Sequence, residues 1–338
     1  MSQNISRRKF TRGMIAAGGA LLITRRLGAA EFELRQFHNQ PAGSPLDKWL
    51  TQMWDTVKAE TNGRVQVATI PDNNKLAGGD PAALNMVASG ELDFFTLNGG
   101  SIGNLVPATN VQGVLFAFRS TEQVFESLDG DLGDYLREEM KAKGIYAVPK
   151  GCFDNGMHQI TCATRPIKTV DDLQGLKIRT PDAPIYTEAW KAMGAAPVVA
   201  NFNKLYETLK SGAAEAQTNP LAVAEFLKLY EVQKYVSMTS HGWSGFNLLA
   251  NWKLWQRFPA DVQSVIERNT VKFVRQQRAE LSALNAEFRT KLATQGMTFN
   301  DADTSSFRPR LSAYYAHWKE ATGERAWSLL EGHVGKLG

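Results

Sequence analysis

Cysteine is scarce in this chain: Cys152 and Cys162 are the only two among 338 residues. Two thiols cannot build a zinc ribbon or hold an iron–sulfur cluster. Histidine is nearly as rare. His38, His158, His241, His317 and His333 are scattered without the paired spacing of metal ligands, so no metal centre is expected. The sequence has no Gly-x-Ser-x-Gly elbow, no Walker loop and no His-Glu-x-x-His. Gly99-Gly100-Ser101-Ile102-Gly103 is glycine-rich but lacks dinucleotide spacing. No cofactor and no catalytic machinery are therefore expected. Beyond residue 30 there is no run of Lys and Arg, which removes nucleic acid as a partner. Nor does any apolar stretch there approach the ~20 residues that span a bilayer, so stable membrane insertion is not expected. Internal repeats, low-complexity tracts and loose linkers are absent as well.

What is present begins with an export signal. Ser6-Arg7-Arg8-Lys9-Phe10 is a twin-arginine signature, an apolar run follows from Met14 to Ile23, and Gly28-Ala29-Ala30 offers small residues for cleavage. Residues 1–30 read as a twin-arginine signal peptide, which directs the protein to the periplasm. This segment holds six basic and no acidic residues. Without it, the formal charge of +4 becomes about −2. The basic character thus belongs to the signal. The compartment is oxidising and permits a disulfide, and a turn at Asn155-Gly156 would bring Cys152 and Cys162 closer. An extended segment of ten residues, at about 3.3 Å each, would hold them apart. Two buried, unpaired thiols are favoured, because such exported proteins fold first in a reducing cytoplasm.

The remaining length suggests two lobes rather than one core. Period-two patterns predict strands over 32–38, 64–70 and 92–97, with helices over 46–60 and 81–89 between them. This alternation implies a parallel-type sheet flanked by helices. Further helices are predicted over 121–143, 185–193, 204–211 and 221–229. Strands are predicted over 145–148, 157–164, 176–179, 197–200, 235–239 and 246–251. One long helix starts near Pro259, carries Asp261 in its first turn and runs to Gly296. It can tie two lobes together; its stripe also leaves coiled-coil association open, though strict heptads are not kept.

The residues most suggestive of chemistry lie in Gly175-Leu176-Lys177-Ile178-Arg179-Thr180-Pro181. Arg179 ends a short apolar run and is pinned by a proline two residues later. A guanidinium held that way is a fixed fork for a carboxylate, although an internal salt bridge would use it equally well. His38 and Asn39 end the first strand and Asn98 ends the third, where a parallel sheet presents ligand groups. Gly99 and Gly100 allow close approach to the backbone. Trp243 follows His241, as a pocket wall or as packing.

Several motifs together resemble the DctP-type solute receptors of TRAP transporters. They are Arg165-Pro166-Ile167 through Pro181, Trp190-Lys191-Ala192-Met193-Gly194-Ala195, Leu205-Tyr206-Glu207-Thr208-Leu209, Asn219-Pro220 and Tyr230-Glu231-Val232-Gln233-Lys234-Tyr235. Thr61-Asn62-Gly63-Arg64-Val65 and Gly90-Glu91-Leu92-Asp93 fit upstream, so the likeness covers nearly all of 31–300. It implies an α/β, two-lobed periplasmic-binding-protein-like (type II-like) fold with crossover strands and one long helix spanning both lobes. Residues 31–155 with 245–284 would form one lobe, and 156–244 with 285–338 the other. It also implies that Arg179 pairs with the ligand carboxylate, that Asn219 contacts the ligand and that Phe202 lies over it as a lid. Asp80 and Asp182 fall at pocket positions of the family, where they could equally cap helices.

His158 departs from the family pattern, in which many acid-binding members carry a second arginine at this place. It brings a neutral or switchable donor instead, or is a surface or hinge histidine. Glu215-Ala216 replaces the family's usual Asp-Gly. The expected function is that of a receptor, not an enzyme. It would bind a small organic acid between its lobes and deliver it to TRAP membrane subunits. A monocarboxylate is favoured, whether aromatic, keto or hydroxy acid. Two alternatives stand beside it: a twin-arginine-exported enzyme acting on organic acids, and a ligand sensor for a membrane kinase.

Overall fold

The computed structural model describes residues 30–337. The signal segment lies outside the described residues, apart from Ala30. Eleven strands occur in chain order: β1 (Phe32–His38), β2 (Val65–Ile70), β3 (Phe94–Leu97), β4 (Ile145–Phe153), β5 (Gln159–Cys162), β6 (Lys177–Thr180), β7 (Ala196–Val199), β8 (Ala216–Asn219), β9 (Tyr235–Met238), β10 (Phe246–Asn251) and β11 (Thr298–Asp301). They form two sheets. The first has the order β2-β1-β3-β10-β4 and the second the order β11-β9-β5-β8-β6-β7.

The opening alternation is parallel as expected, with β1 between β2 and β3. The sheets as wholes are mixed. β10 runs antiparallel to β3 and β4, and β5 runs antiparallel to β8 and β9. The reason is connectivity. The chain leaves the first sheet after Phe153 and enters the second at Gln159. It returns between Met238 and Phe246, so the returning strand meets its neighbours head to tail. The third connection is the helix Ala260–Thr294. Its Val262, Ile266, Phe273 and Val274 pack with Leu50, Trp54, Phe94 and Phe246 of the first sheet's layer. Its Leu281, Phe288 and Leu292 pack with Leu205, Leu221 and Val236 of the second. A 35-residue helix is about 52 Å long, enough to lie against both.

Two expectations change. The helix predicted over 121–143 is two helices, Thr121–Asp129 and Asp131–Lys141. Gly130 between them is extended, and a Cβ there would approach the Glu126 carbonyl to 2.7 Å. The strand predicted over 157–164 is shorter, Gln159–Cys162. Beyond Gly296 the chain adds the helices Ser312–Thr322 and Glu324–Val334. Their Tyr315, Trp318 and Trp327 enter the largest core, together with Leu132 and Leu136 and with Ile185 and Trp190. Both cysteines are free and buried. Among the described residues no helix is long and apolar enough to cross a membrane.

Candidate functional site

Arg179 stands on β6 with 2 % of its surface exposed. Its Nε and Nη2 both donate to the carbonyl of Ala200, at 3.0 and 2.6 Å, just beyond β7. The β6–β7 pairing thus anchors one edge of the fork. Among the described residues Nη1 has no hydrogen-bond acceptor and no carboxylate forms an ion pair with Arg179. The guanidinium borders a cavity of about 40 Å³. Burial pulls its pKa down to about 10, against the opposing field of Asp80, and it remains a cation at neutral pH.

Across the cavity lies Asp80, near the start of the helix Gly79–Ser89. Its carboxylate accepts from Asn39 Nδ2 at 2.9 Å and from Asn73 Nδ2 at 2.6 Å. Burial pushes its pKa up, while the two amides and Arg179 hold it down. Asn39 in turn accepts from Gln40 Nε2 at 2.9 Å. Asn219 ends β8 and donates to Gln217 Oε1 at 2.6 Å. His158 precedes β5. Its Nδ1 lies 3.1 Å from Thr218 Oγ1, and its Nε2 is hydrogen-bonded to Ser244 Oγ. Desolvation first, then the nearby Arg179 charge, drives its pKa to about 3, so the ring is neutral. The aromatic wall is made by Tyr186, Trp190, Phe202 and Phe246. The Phe202 ring centre lies 6.0 Å from the Arg179 guanidinium carbon.

Seven of the residues singled out in the sequence therefore line one cavity: Arg179, Asn219, His158, Phe202, Asn98, Asn39 and Asp80. Three lie elsewhere. His38 precedes Asn39 on a strand end, and alternation turns it to the opposite face, where its ring meets Asp47 at 3.0 Å. Asp182 has an exposed side chain, and its carbonyl accepts from Asn104 at 2.7 Å. Trp243 is buried behind the site, donating its indole N–H to Asp154 at 2.8 Å. Asn98 lines the cavity but is largely committed to its own helix start. Its Oδ1 accepts from the Ser101 N–H at 3.0 Å and from the Tyr186 hydroxyl at 3.1 Å. Gly100 makes room for that tyrosine, since a Cβ would sit 2.4 Å from its oxygen.

Sequence reasoning missed Gln40, Asn155, Tyr186, Thr218, Ser244 and Phe246 as lining residues. Tyr186 carried a usable signal. It sits four residues before Trp190 on one helix, so the two share a face.

Residues 37–321 match the family described as DctP, bacterial extracellular solute-binding protein, family 7. The chain belongs to this family. Among its DctP relatives, the solute-binding protein RD1_1052 of Roseobacter denitrificans is 30 % identical over 248 residues, covering 73 % of this chain and 75 % of that protein. The uncharacterized protein y4mM of Sinorhizobium fredii is 31 % identical over 267 residues, 78 % of this chain, and the chain spans 49 % of its length. A TRAP periplasmic solute-binding protein from Polaromonas sp. JS666, solved bound to D-erythronate, superposes with a TM-score of 0.82 at 27 % identity, covering 88 % of this chain and 98 % of that one. RD1_1052 itself, solved with bound L-galactonate, superposes with a TM-score of 0.81 at 24 % structure-aligned identity, covering 90 % and 99 %. DctP proteins are periplasmic solute receptors, not enzymes. They bind small acids and work with TRAP membrane subunits.

Proposed function

We propose that this protein captures a small hydroxylated monocarboxylic acid of the aldonic or uronic type in the periplasm and delivers it to TRAP membrane subunits. The observation that carries this reading is the charge pattern of the cavity. Among the described residues Arg179 is the single cation on its wall, and the other polar groups apart from Asp80 are neutral amides, hydroxyls and an uncharged imidazole. One carboxylate has a fork to bind. A second would find no cation and would meet Asp80, an arrangement that disfavours dicarboxylates by several-fold or more. Amides and hydroxyls suit the hydroxyls of a sugar acid. An aromatic acid has less support: the wall of Tyr186, Trp190, Phe202 and Phe246 would accept its ring, but its ring would leave the amides, hydroxyls and Asp80 without partners. The ligands held by the Polaromonas protein and RD1_1052 are of the same hydroxylated class.

Under this reading 31–155 with 245–284, and 156–244 with 285–338, are the two lobes, and the protein is exported by the twin-arginine route. The test is a thermal-shift and calorimetry panel with L-galactonate, D-erythronate, D-glucuronate, succinate and benzoate. A hydroxylated monoacid at 100 times its Kd should stabilise the fold by about 2.7 kcal/mol. Arg179→Ala should cost that acid about 2–5 kcal/mol of affinity, by leaving its carboxylate buried and unpaired. Tighter binding of succinate or benzoate, or affinity retained within threefold by Arg179→Ala, overturns the proposal.

A further inference from the structure

Four consecutive non-glycine residues packed behind Gln40 and Asp80 of the cavity wall have left-handed backbone. Asp72, Asn73, Asn74 and Lys75 have φ of 52°, 48°, 53° and 54°. L-residues visit this region singly, and a run of four is strained. The surrounding structure shows what holds it. The Asp72 N–H donates to the Gln40 carbonyl at 3.0 Å, tying the turn to the end of β1. Asn73 is 4 % exposed, and its amide donates to Asp80 Oδ1 at 2.6 Å. Its own Oδ1 is buried without a partner among the described residues. Burying an amide with one end unsatisfied, in a strained backbone, is a poor arrangement for stability alone. What it achieves is geometric. Asn39 holds Oδ2 of Asp80 from one side and Asn73 holds Oδ1 from the other. The carboxylate cannot swing across to Arg179, and neither residue's hydrogen bonds include the other.

We propose that Asn73 is a positioning residue. The left-handed turn holds its amide on Asp80, so that the carboxylate stands as a fixed acceptor for a hydroxyl of the acid whose carboxylate lies on Arg179. This rests on the proposed function for the ligand's chemistry, but the restraint on Asp80 exists in the ligand-free protein and can be measured there. Protein labelled with ¹³C at the aspartate carboxyls is titrated, and the Asp80 signal is assigned with Asp80→Asn. Among the described residues the one charged group whose field reaches Asp80 is Arg179 on β6; the other restraints are the amides of Asn39 and Asn73.

Asn73→Gly is the decisive variant, because glycine relieves the left-handed strain while removing the amide. If Asn73 served stability alone, its loss would weaken the fold and leave the affinity for the acid in place. The positioning role predicts a midpoint raised by about one pH unit, since a donor to the charged form is lost. Asn74→Gly relieves the same strain and should leave the midpoint in place. An unmoved midpoint in Asn73→Gly, or an equal rise in Asn74→Gly, overturns the proposal. A second arm uses L-galactonate, whose affinity should fall about tenfold in Asn73→Gly and hold within twofold in Asn74→Gly. Absence of any L-galactonate binding by the unmodified protein would count against the ligand class, with the midpoint shift still deciding the role of Asn73.

Discussion

At the scale of the residue, the site sets one cation, Arg179, and one acid, Asp80, among groups that have been kept neutral. His158 is the informative case. A histidine beside Arg179 could have been a second cation, but burial and the guanidinium's own field hold it uncharged, with a pKa of about 3. An ordinary histidine in the unfolded chain titrates near 6.5. The sign follows. Above about pH 6.5 both states are neutral and the contribution is fully present; as pH falls from there towards 3 the unfolded state takes up a proton that the folded state refuses, and stability is lost. His158→Gln keeps a polar side chain between Thr218 and Ser244 but does not titrate. Denaturation curves of the ligand-free protein across that window should show a shallower acid-side slope for the variant, by up to about 1.4 kcal/mol per pH unit. His241 is shifted the same way and remains in both proteins, so only the difference between them matters. Superimposable slopes would show that His158 is charged or free. Arg179, Asn219 and His158 were legible in the sequence because each sits in a short motif. Thr218 and Ser244, which orient the imidazole, come from β8 and from the return crossover. No local pattern joins them; only the folded sheets do.

At the scale of the element, most strands and helices announced themselves by period, and the failures have physical causes. Gly130 sits between two stretches that are each good helix, so an unbroken apolar stripe concealed the break. Trp243 looked like a pocket wall because it follows a conspicuous histidine; the fold uses it in a joint. Asp154 Oδ1 accepts from the Trp243 indole and from the Gly156 N–H, each at 2.8 Å. Gln277 of the long helix grips the Asp154 backbone from both sides, accepting from its N–H and donating to its carbonyl at 2.8 Å each. Both crossovers and the helix therefore meet at a single buried aspartate, whose pKa is pushed up mainly by burial. Trp243→Phe keeps the packing but removes a donor from it, which should cost about 1–3 kcal/mol of folding stability. Because the indole does not line the cavity, calorimetric affinity for the bound acid should stay within threefold. A larger loss of affinity with unchanged stability would return Trp243 to the ligand site.

At the scale of the whole molecule, residues that belong to the layers of the two different sheets touch beside the cavity. Asn98 at the end of β3 accepts from Tyr186 on the helix that follows β6. At the lip, Gly79 lies so close to Asn201 that an ideal Cβ on the glycine would be 2.9 Å from Asn201 Cγ. These contacts join the proposed lobes, so they must part for an acid of sugar size to enter or leave. The lip offers a direct way to test this. A disulfide places each sulfur about 3 Å from the partner's Cβ, between its S–S and Cβ–Cβ separations. Asn201 Cγ already occupies a sulfur's position relative to Gly79. Gly79→Cys combined with Asn201→Cys should therefore oxidise to a bridge across the mouth, at some cost from the positive φ of 57° at residue 79. Cys152 and Cys162 are buried and should take no part. Loaded with ligand and then oxidised, the double variant should release it at least tenfold more slowly than the reduced form, and dithiothreitol should restore the rate. Oxidised and reduced forms that release at equal rates would mean that the acid leaves by another route, and that the lip between Gly79 and Asn201 is not the gate.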